Sequence, residues 1–122
     1  MALAKTVTKI ITNSTIGASS YADSTTFITT DDCIGFGVEG VCTYSTAATQ
    51  GLRLQAFGSY DSTGWDDSPF WQVNMPFVAA TSSQGQTFSF PFDAKYIKIR
   101  ALNLSTANSV SAVDVHSHVQ TA

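Results

Sequence analysis

The chain has 122 residues, a length typical of one domain, and its hydrophobic share of 43% is enough for an ordinary buried core. Only 12% of the residues are charged, about half the share of an average soluble protein, and Ser and Thr supply much of the remaining polarity. The net charge of −3 and the scattered basic residues argue against nucleic acid as a partner. No apolar run approaches the roughly 20 residues of a spanning helix, so we expect no membrane partner either.

The first residues do not resemble a secretory signal, because Lys5 and Lys9 interrupt any apolar segment. We therefore expect the protein to be made in a cytoplasm without a signal peptide. Residues 1–4 and 120–122 are predicted to be loose ends of a single domain that covers residues 1–122.

Apolar and polar residues alternate along most of the chain, and turn-forming residues recur every eight to twelve positions. This spacing predicts an all-β, antiparallel β-sandwich or jelly roll. About eight strands are expected, at residues 6–12, 25–30, 34–42, 51–60, 70–78, 87–92, 95–102 and 110–119. A helical period never continues for ten residues, so we expect almost no helix.

The third and fourth strands show the alternation best. Leu52, Leu54 and Ala56 share one face of the fourth strand, and its closeness in sequence to the third predicts a hairpin between the two. Pro76 places the strand at 70–78 towards a sheet edge, because proline cannot donate a backbone hydrogen bond.

The two cysteines, Cys33 and Cys42, fall within one predicted strand. Nine residues of extended chain separate them by roughly 30 Å and turn them to opposite faces. A disulfide requires Cα atoms within about 7 Å, so two free thiols are predicted.

Residues that would support catalysis are scarce. The chain has only two histidines, and it has no Gly-x-Ser-x-Gly elbow, glycine-rich phosphate loop or Cys-x-x-Cys pair. The paired aspartates at 31–32 and 66–67 lie in turn-like segments, where solvated turn formers are more common than catalytic carboxylates. We therefore predict that the protein is not an enzyme and needs no cofactor.

The C-terminal strand carries one cluster with the character of metal ligands. Asp114, His116 and His118 alternate along it and would share a face. Such side chains suit zinc, iron or nickel. The favoured interpretation is the solvent-facing side of the strand. A metal shared at a trimer axis, as at His-x-His sites of phage spike tips with a different fold, is the alternative, and we predict no metal site.

A loop rich in aromatic residues is the candidate contact site. Its candidate residues for contact with a ligand or another subunit are Tyr60, Asp61, Trp65, Asp66, Phe70 and Trp71. Three interpretations remain open. Trp65 and Phe70 fold back to cap one end of the sandwich, or the loop contacts a neighbouring subunit, or the rings stack on a sugar while the carboxylates bind its hydroxyl groups.

The second half of the chain resembles discoidin-type, galactose-binding-like jelly rolls. The resemblance rests on the turn Ser59-Tyr-Asp-Ser-Thr-Gly-Trp65 and on the segment Ala94-Lys-Tyr-Ile-Lys-Ile99, which match the family's Ser-x-Asp-Gly-x-x-Trp turn and its Ala-Arg-Tyr strand. Ser62 replaces the glycine of that turn, and Lys95 replaces the arginine. The likeness covers about half of the chain and implies the fold rather than a ligand.

The whole chain is similar in character to small β-sandwich virion proteins of tailed phages, such as head decoration, neck or tail-attached proteins. The shared features are the low charge, the loops rich in Ser, Thr and Ala, and the start without a signal. The resemblance implies a structural, homo-oligomeric component of the virion whose partners are other capsid or tail proteins. Residues 6–12 would suit addition to a neighbour's sheet. The alternative function is a carbohydrate-binding module or adhesin domain with a glycan as partner.

Overall fold

A computed structural model describes residues 4–24, 28–29, 33–78, 86–89 and 94–121. Every regular element in these ranges is a strand, which confirms the all-β prediction. The strands are β1 Ala4–Ile16, β2 Tyr21–Asp23, β3 Ile28–Thr29, β4 Cys33–Tyr44, β5 Leu52–Ser59, β6 Trp71–Asn74, β7 Gln86–Ser89, β8 Tyr96–Asn103 and β9 Val110–Thr121.

The strands form two antiparallel sheets. One has the order β1-β9-β4-β7 and the other the order β2-β8-β5-β6, with β3 pairing beside β2 on β8. Strands that follow each other in the chain mostly lie in opposite sheets, which is the arrangement of a jelly roll with β2 and β3 sharing one strand position. The predicted sandwich is therefore confirmed, and the described residues contain nine strands where about eight were expected.

The prediction of a hairpin between the third and fourth predicted strands is wrong. β4 pairs with β7 and β9, whereas β5 pairs with β6 and β8 in the other sheet. Both strands bury one apolar face, and crossing from one sheet to the other lets those faces pack against each other. Phe36 and Val38 of β4 are buried in the same core cluster as Leu52 and Leu54 of β5.

Strand limits differ from the predictions where the sequence pattern is short. β2 was not predicted, and of the predicted strand 25–30 only residues 28–29 lie within the described part of the chain. β6 pairs with β5 alone in the described residues and ends before Pro76, as expected of an edge strand. β7 contains Phe88, whereas the predicted continuation to residue 92 lies outside the described residues.

The prediction of loose ends is wrong for Ala4, Gln120 and Thr121, which lie in paired strands. Ala4 pairs with Thr121, and Lys5 pairs with Gln120, so the first and last described strands support each other along their length. β4 is one continuous strand from Cys33 to Tyr44, as predicted, and Cys42 is buried and not part of a disulfide. The side chain of Cys33 lies outside the described residues.

The core lies between the inner faces of the two sheets. Its fully buried side chains include Val38, Leu52, Leu54, Ile97, Ile99, Val113 and Val115. Ile10 and Ile11 are both buried although they are consecutive, because β1 carries one residue more than β9 between the pairs Lys9–His116 and Ile11–Val115. This bulge turns two neighbouring side chains inward where strict alternation would expose one of them.

Polar side chains join the loops at the end of the sandwich where β4 leads into β5. Asn103 is 1% exposed, and its Nδ2 lies 3.2 Å from the carbonyl oxygen of Ile16 and 2.8 Å from that of Asn108. Its Oδ1 accepts a 3.0 Å hydrogen bond from the N–H of Ser105. This one buried amide therefore connects the chain after β1 to the loop before β9.

Tyr44 has a similar role at the same end. Its hydroxyl group donates to the carbonyl oxygen of Pro76 at 3.0 Å and accepts from the N–H of Leu52 at 3.3 Å. Its ring packs edge to face on Phe77, with the ring centroids 4.9 Å apart. Burial raises the pKa of Tyr44, so the hydroxyl group keeps its proton and remains a donor.

The described residues contain no helix that is both long and apolar enough to cross a membrane.

Candidate functional site

The candidate site begins with the loop 60–70, which joins β5 to β6. Ser59 Oγ accepts hydrogen bonds from the N–H groups of Asp61 and Ser62 at 3.3 and 3.0 Å, and it donates to the carbonyl oxygen of Gly64. Asp61 Oδ1 accepts from the N–H groups of Thr63 and Gly64, each at 3.0 Å. Short polar side chains thus fix the first half of the loop by bonding to nearby backbone groups.

Asp61 therefore has a structural role at this position. The N–H groups of Gly64 and Thr63 hold the pKa of Asp61 below its ordinary value, so the carboxylate stays ionised and keeps accepting. Ser62, the next residue, has a φ of 63°, in the left-handed region that glycine adopts at little cost. Glycine would adopt this conformation with less steric strain than Ser62 does.

The other half of the loop lies close against β5. The N–H of Asp66 donates to the carbonyl oxygen of Gly58 at 3.0 Å. A Cβ on Gly58 would lie 2.7 Å from the Cβ of Ala94, which is too close for any side chain, and a tight 3.2 Å from Asp66 Oδ2. Gly58 thereby allows the loop and the residues before β8 to approach each other.

An open cavity of about 300 Å³ lies where these two segments meet. It is lined by Ser59, Tyr60, Asp66, Ala94 and Lys95. The side chain of Tyr60 is 83% exposed, the highest value among the large hydrophobic residues of the described chain. Of the six residues predicted from the sequence, the structure brings Tyr60 and Asp66 together here.

Trp65 lies elsewhere, against the outer face of the five-stranded sheet. Lys98 Nζ is 5.3 Å from the centroid of the Trp65 ring and 5.7 Å from that of Phe57. The cation therefore lies between two rings, and such contacts are favourable when they are partly shielded from water. Trp65 covers its own sheet and does not face the cavity.

Arg100 covers the same outer face further along the sheet. Its guanidinium carbon lies 3.8 Å from the Tyr21 ring centroid and 4.6 Å from that of Phe57. Its Nε donates to Asp23 Oδ1 at 2.7 Å, and Lys98 lies 3.3 Å from the other carboxylate oxygen. Burial raises the pKa of Asp23, but the hydrogen bond and the charges of the two cations outweigh it and lower the pKa below its ordinary value.

Phe70 and Trp71 pack inward. The N–H of Phe70 donates to the carbonyl oxygen of Ala56 at 3.0 Å, and both rings pack against the hydrophobic core. Trp71 also contacts Phe88 of β7, with a centroid distance of 6.2 Å. The two tryptophans of the predicted contact site therefore lie apart in the structure, Trp65 on the outer face of the sheet and Trp71 against the core.

Lys95 and Ala94 were not predicted as site residues. Both precede β8, about thirty residues beyond Tyr60 in sequence. The topology could have indicated these two residues, because alternate loops of a jelly roll meet at the same end of the sandwich.

Asp114, His116 and His118 share the outer face of β9, while Val113, Val115 and Ser117 are buried beneath them. β9 lies between β1 and β4, so this face belongs to the middle of the sheet. Lys9 Nζ lies 3.7 Å from Asp114 Oδ1. In the part of the chain that the structure describes, no three His, Cys, Asp or Glu side chains lie close enough to hold a metal ion.

No family model matches the sequence, and no curated protein matches it. Several solved structures do resemble the fold. A chain of dimeric latent PorU from Porphyromonas gingivalis aligns with a TM-score of 0.57 and 7% identity over 99% of this chain. The present chain spans only 13% of the PorU chain, and the likeness shows the fold alone.

Two further neighbours are more distant in structure. The subunit of Bacillus endospore appendages, described as disulfide-linked pili, aligns with a TM-score of 0.46 and 15% identity over 98% of this chain and 89% of its own. The SPBc2 prophage-derived protein YomS aligns with a TM-score of 0.47 and 12% identity over 99% of this chain and 96% of its own.

Proposed function

We propose that the protein is a non-enzymatic structural subunit of a tailed-phage particle, as a head decoration, neck or tail component. In this proposal it is made in the host cytoplasm and assembles with other copies of itself and with other virion proteins. The observation that carries the proposal is the long outer edge of β1, which pairs with no second strand in the described part of the chain.

β1 is the edge strand of the four-stranded sheet and pairs in the described residues with β9 alone. From Ala4 to Lys9 its pairing with β9 is regular, without a bulge. Natural edge strands are usually short, bulged or charged, because a flat edge with unpaired N–H and C=O groups invites another strand. The regular part of β1 is therefore suited to pair with another strand.

The side chains of β1 agree with such a contact. Val7 is 54% exposed although it is apolar, and the stretch 6–12 contains a single charged residue, Lys9. Backbone hydrogen bonds would supply the affinity, and the few charges in the sequence leave packing of apolar and hydroxyl groups to complete the interface. We propose that the partner strand is β1 of a second copy, arranged antiparallel about a two-fold axis.

A substitution in the edge strand tests this proposal. Light scattering after size-exclusion chromatography should show a dimer or larger oligomer for the unmodified chain. Val7→Lys should shift the protein towards monomer, because it adds a desolvated charge to each side of the edge contact. The side chain is mostly exposed, so the circular dichroism spectrum and melting temperature should stay unchanged.

Val78→Lys is the matched control, since Val78 is 64% exposed but lies outside the sheets. It should leave the oligomer intact. A monomeric unmodified protein, or equal oligomers in both variants, would contradict assembly through β1. The virion assignment has a separate test, because peptides of this chain should occur in purified phage particles from the source bacterium, and their absence would reject it.

A further inference from the structure

The outer face of the five-stranded sheet carries an excess of positive charge. The strands of this sheet contain three basic residues, Arg53, Lys98 and Arg100, and one acidic residue, Asp23. The strands of the other sheet contain two lysines and two carboxylates, so their charges balance. The outer face of the five-stranded sheet therefore has two positive charges in excess, although the whole chain has a net charge of −3.

The two arginines occupy adjacent rows of this face, where a row runs across the strands. Arg100 of β8 pairs with Gln55 of β5, and Arg53 lies two residues before Gln55 on the same strand. Side chains two residues apart along a strand share a face and are about 6.6 Å apart. The residues between the rows, Leu54 on β5 and Ala101 on β8, are fully buried on the inner face.

Both guanidinium groups are held in place while keeping donors for a partner. Arg53 Nε donates to Asn74 Oδ1 at 2.8 Å. Arg100 donates to Asp23 from Nε and Nη2, and it lies between two aromatic rings. Among the described residues, Nη1 and Nη2 of Arg53 and Nη1 of Arg100 have no hydrogen-bond partner. Guanidinium donors suit carboxylates, because their planar geometry matches the two carboxylate oxygens.

We propose that the outer face of the five-stranded sheet binds an acidic segment of another protein, with two carboxylates at alternate positions of an extended chain. Such a segment, lying along the strands, repeats its side chains on one side about every 6.6 Å. One carboxylate would therefore meet the row of Arg53 and the other the row of Arg100. Two carboxylates also neutralise the two excess positive charges.

The side chains around the arginines suit a contact with protein. Tyr21 is 55% exposed and its ring lies 3.8 Å from the guanidinium carbon of Arg100. Tyrosine and arginine are enriched in protein interfaces. Because Arg100 is already fixed by the ring and by Asp23, a partner does not have to order it, which lowers the free-energy cost of binding.

A nucleic acid strand suits this face less well than an acidic peptide. Its phosphates form a continuous row of negative charge, and its affinity grows with the number of phosphates that are neutralised. The outer face has only two excess positive charges, and the carboxylate of Asp23 lies in the same row as Arg100. A peptide with two carboxylates brings no further charge to be neutralised.

Titration of the full chain with a blocked heptapeptide, Gly-Thr-Glu-Thr-Glu-Thr-Gly, tests the proposal. Amide chemical-shift changes in nuclear magnetic resonance spectra should centre on residues 53–55, 72–74 and 100–102. At about 20 mM NaCl the dissociation constant should be about 1 mM, and about 0.5 M NaCl should weaken binding at least about fivefold, because salt screens exposed charges. The same peptide with glutamine at both glutamate positions should bind at least about tenfold more weakly.

Arg53→Gln should weaken binding of the glutamate peptide about fivefold, because it removes one carboxylate partner. Lys9→Gln is the matched control, since it removes the same charge from the other sheet, where Lys9 lies 3.7 Å from Asp114. This control should keep the dissociation constant within about twofold.

Four results would each overturn the proposal. They are a glutamate peptide that does not bind, a glutamine peptide that binds equally well, an Arg53→Gln variant that loses no more affinity than Lys9→Gln, and a thymidine oligonucleotide that binds more tightly than the glutamate peptide. All of them are independent of the oligomeric state that tests assembly through β1.

Discussion

Loops connect the strands at both ends of the sandwich, but the side-chain hydrogen bonds that hold these loops differ between the two ends. At one end, buried Asn103 and Tyr44 bond to backbone groups of several loops that come from both sheets. At the other end, the bonds of Ser59 and Asp61 stay within the loop that contains them. The first arrangement ties distant parts of the chain together, and the second fixes the shape of one loop.

Because of this difference, we expect the two ends to contribute unequally to the stability of the fold. A buried polar group that bridges several loops is costly to remove, because its partners lose their bonds without gaining water. A loop that is fixed by its own bonds can lose one of them without affecting distant parts of the chain. We therefore expect substitutions at the Asn103 end to lower the free energy of unfolding more than substitutions at the Tyr60 end.

The largest effect is expected at Asn103. Asn103→Ala removes the amide from the carbonyl groups of Ile16 and Asn108 and from the N–H of Ser105, and it should lower the free energy of unfolding by about 3 kcal/mol. Urea denaturation followed by fluorescence measures the change. Asn74→Ala is the control, because Asn74 makes an exposed 2.8 Å contact with Arg53. If both variants lost the same stability, the distinction between the ends would fail.

A smaller loss is expected at Tyr44. Tyr44→Phe keeps the ring on Phe77 and removes the hydroxyl group that joins Pro76 to Leu52. The free energy of unfolding should fall by about 1 kcal/mol. Tyr60→Phe removes the same atom from an exposed ring and should change stability negligibly in the same urea titration. An equal loss in the two variants would show that the Tyr44 hydroxyl is not a link between loops.

The smallest effect has the opposite sign and belongs to the Tyr60 end. Ser62→Gly should raise the free energy of unfolding by about 0.5 kcal/mol, because glycine adopts the φ of 63° without steric strain. Ser109→Gly, in an exposed loop, should give no gain, since glycine there only adds freedom to the unfolded chain. A loss of stability in Ser62→Gly would contradict strain at this turn.

Much of the fold could be predicted from local patterns, and the failures have physical causes. Alternation in the fourth predicted strand correctly placed Leu52, Leu54 and Ala56 on one face, and all three are buried. The bulge at Ile10 could not be predicted from the sequence pattern, because it depends on how β1 pairs with β9, about a hundred residues further along the chain. β2 escaped prediction because three residues carry no period of their own.

The candidate site was predicted only in part. Composition correctly marked residues 61–69 as a loop, but it could not separate rings that cover the sheet from a ring that faces solvent. Trp65 is held against the sheet by Lys98, and Trp71 by the core and Phe88. Lys95 lies at the cavity because the fold brings the residues before β8 next to the loop 60–70. A local sequence pattern does not encode that arrangement.

The sequence by itself determined that this chain is an all-β sandwich with a weakly charged, hydroxyl-rich composition, because alternation and residue type are local properties. Only the tertiary structure decided that β4 and β5 lie in different sheets, that β1 pairs with β9 alone among the described residues, and that Tyr60, Asp66 and Lys95 line one cavity. These features follow from the packing of strands that are distant in sequence. Which faces come together depends on burying the whole apolar surface at once.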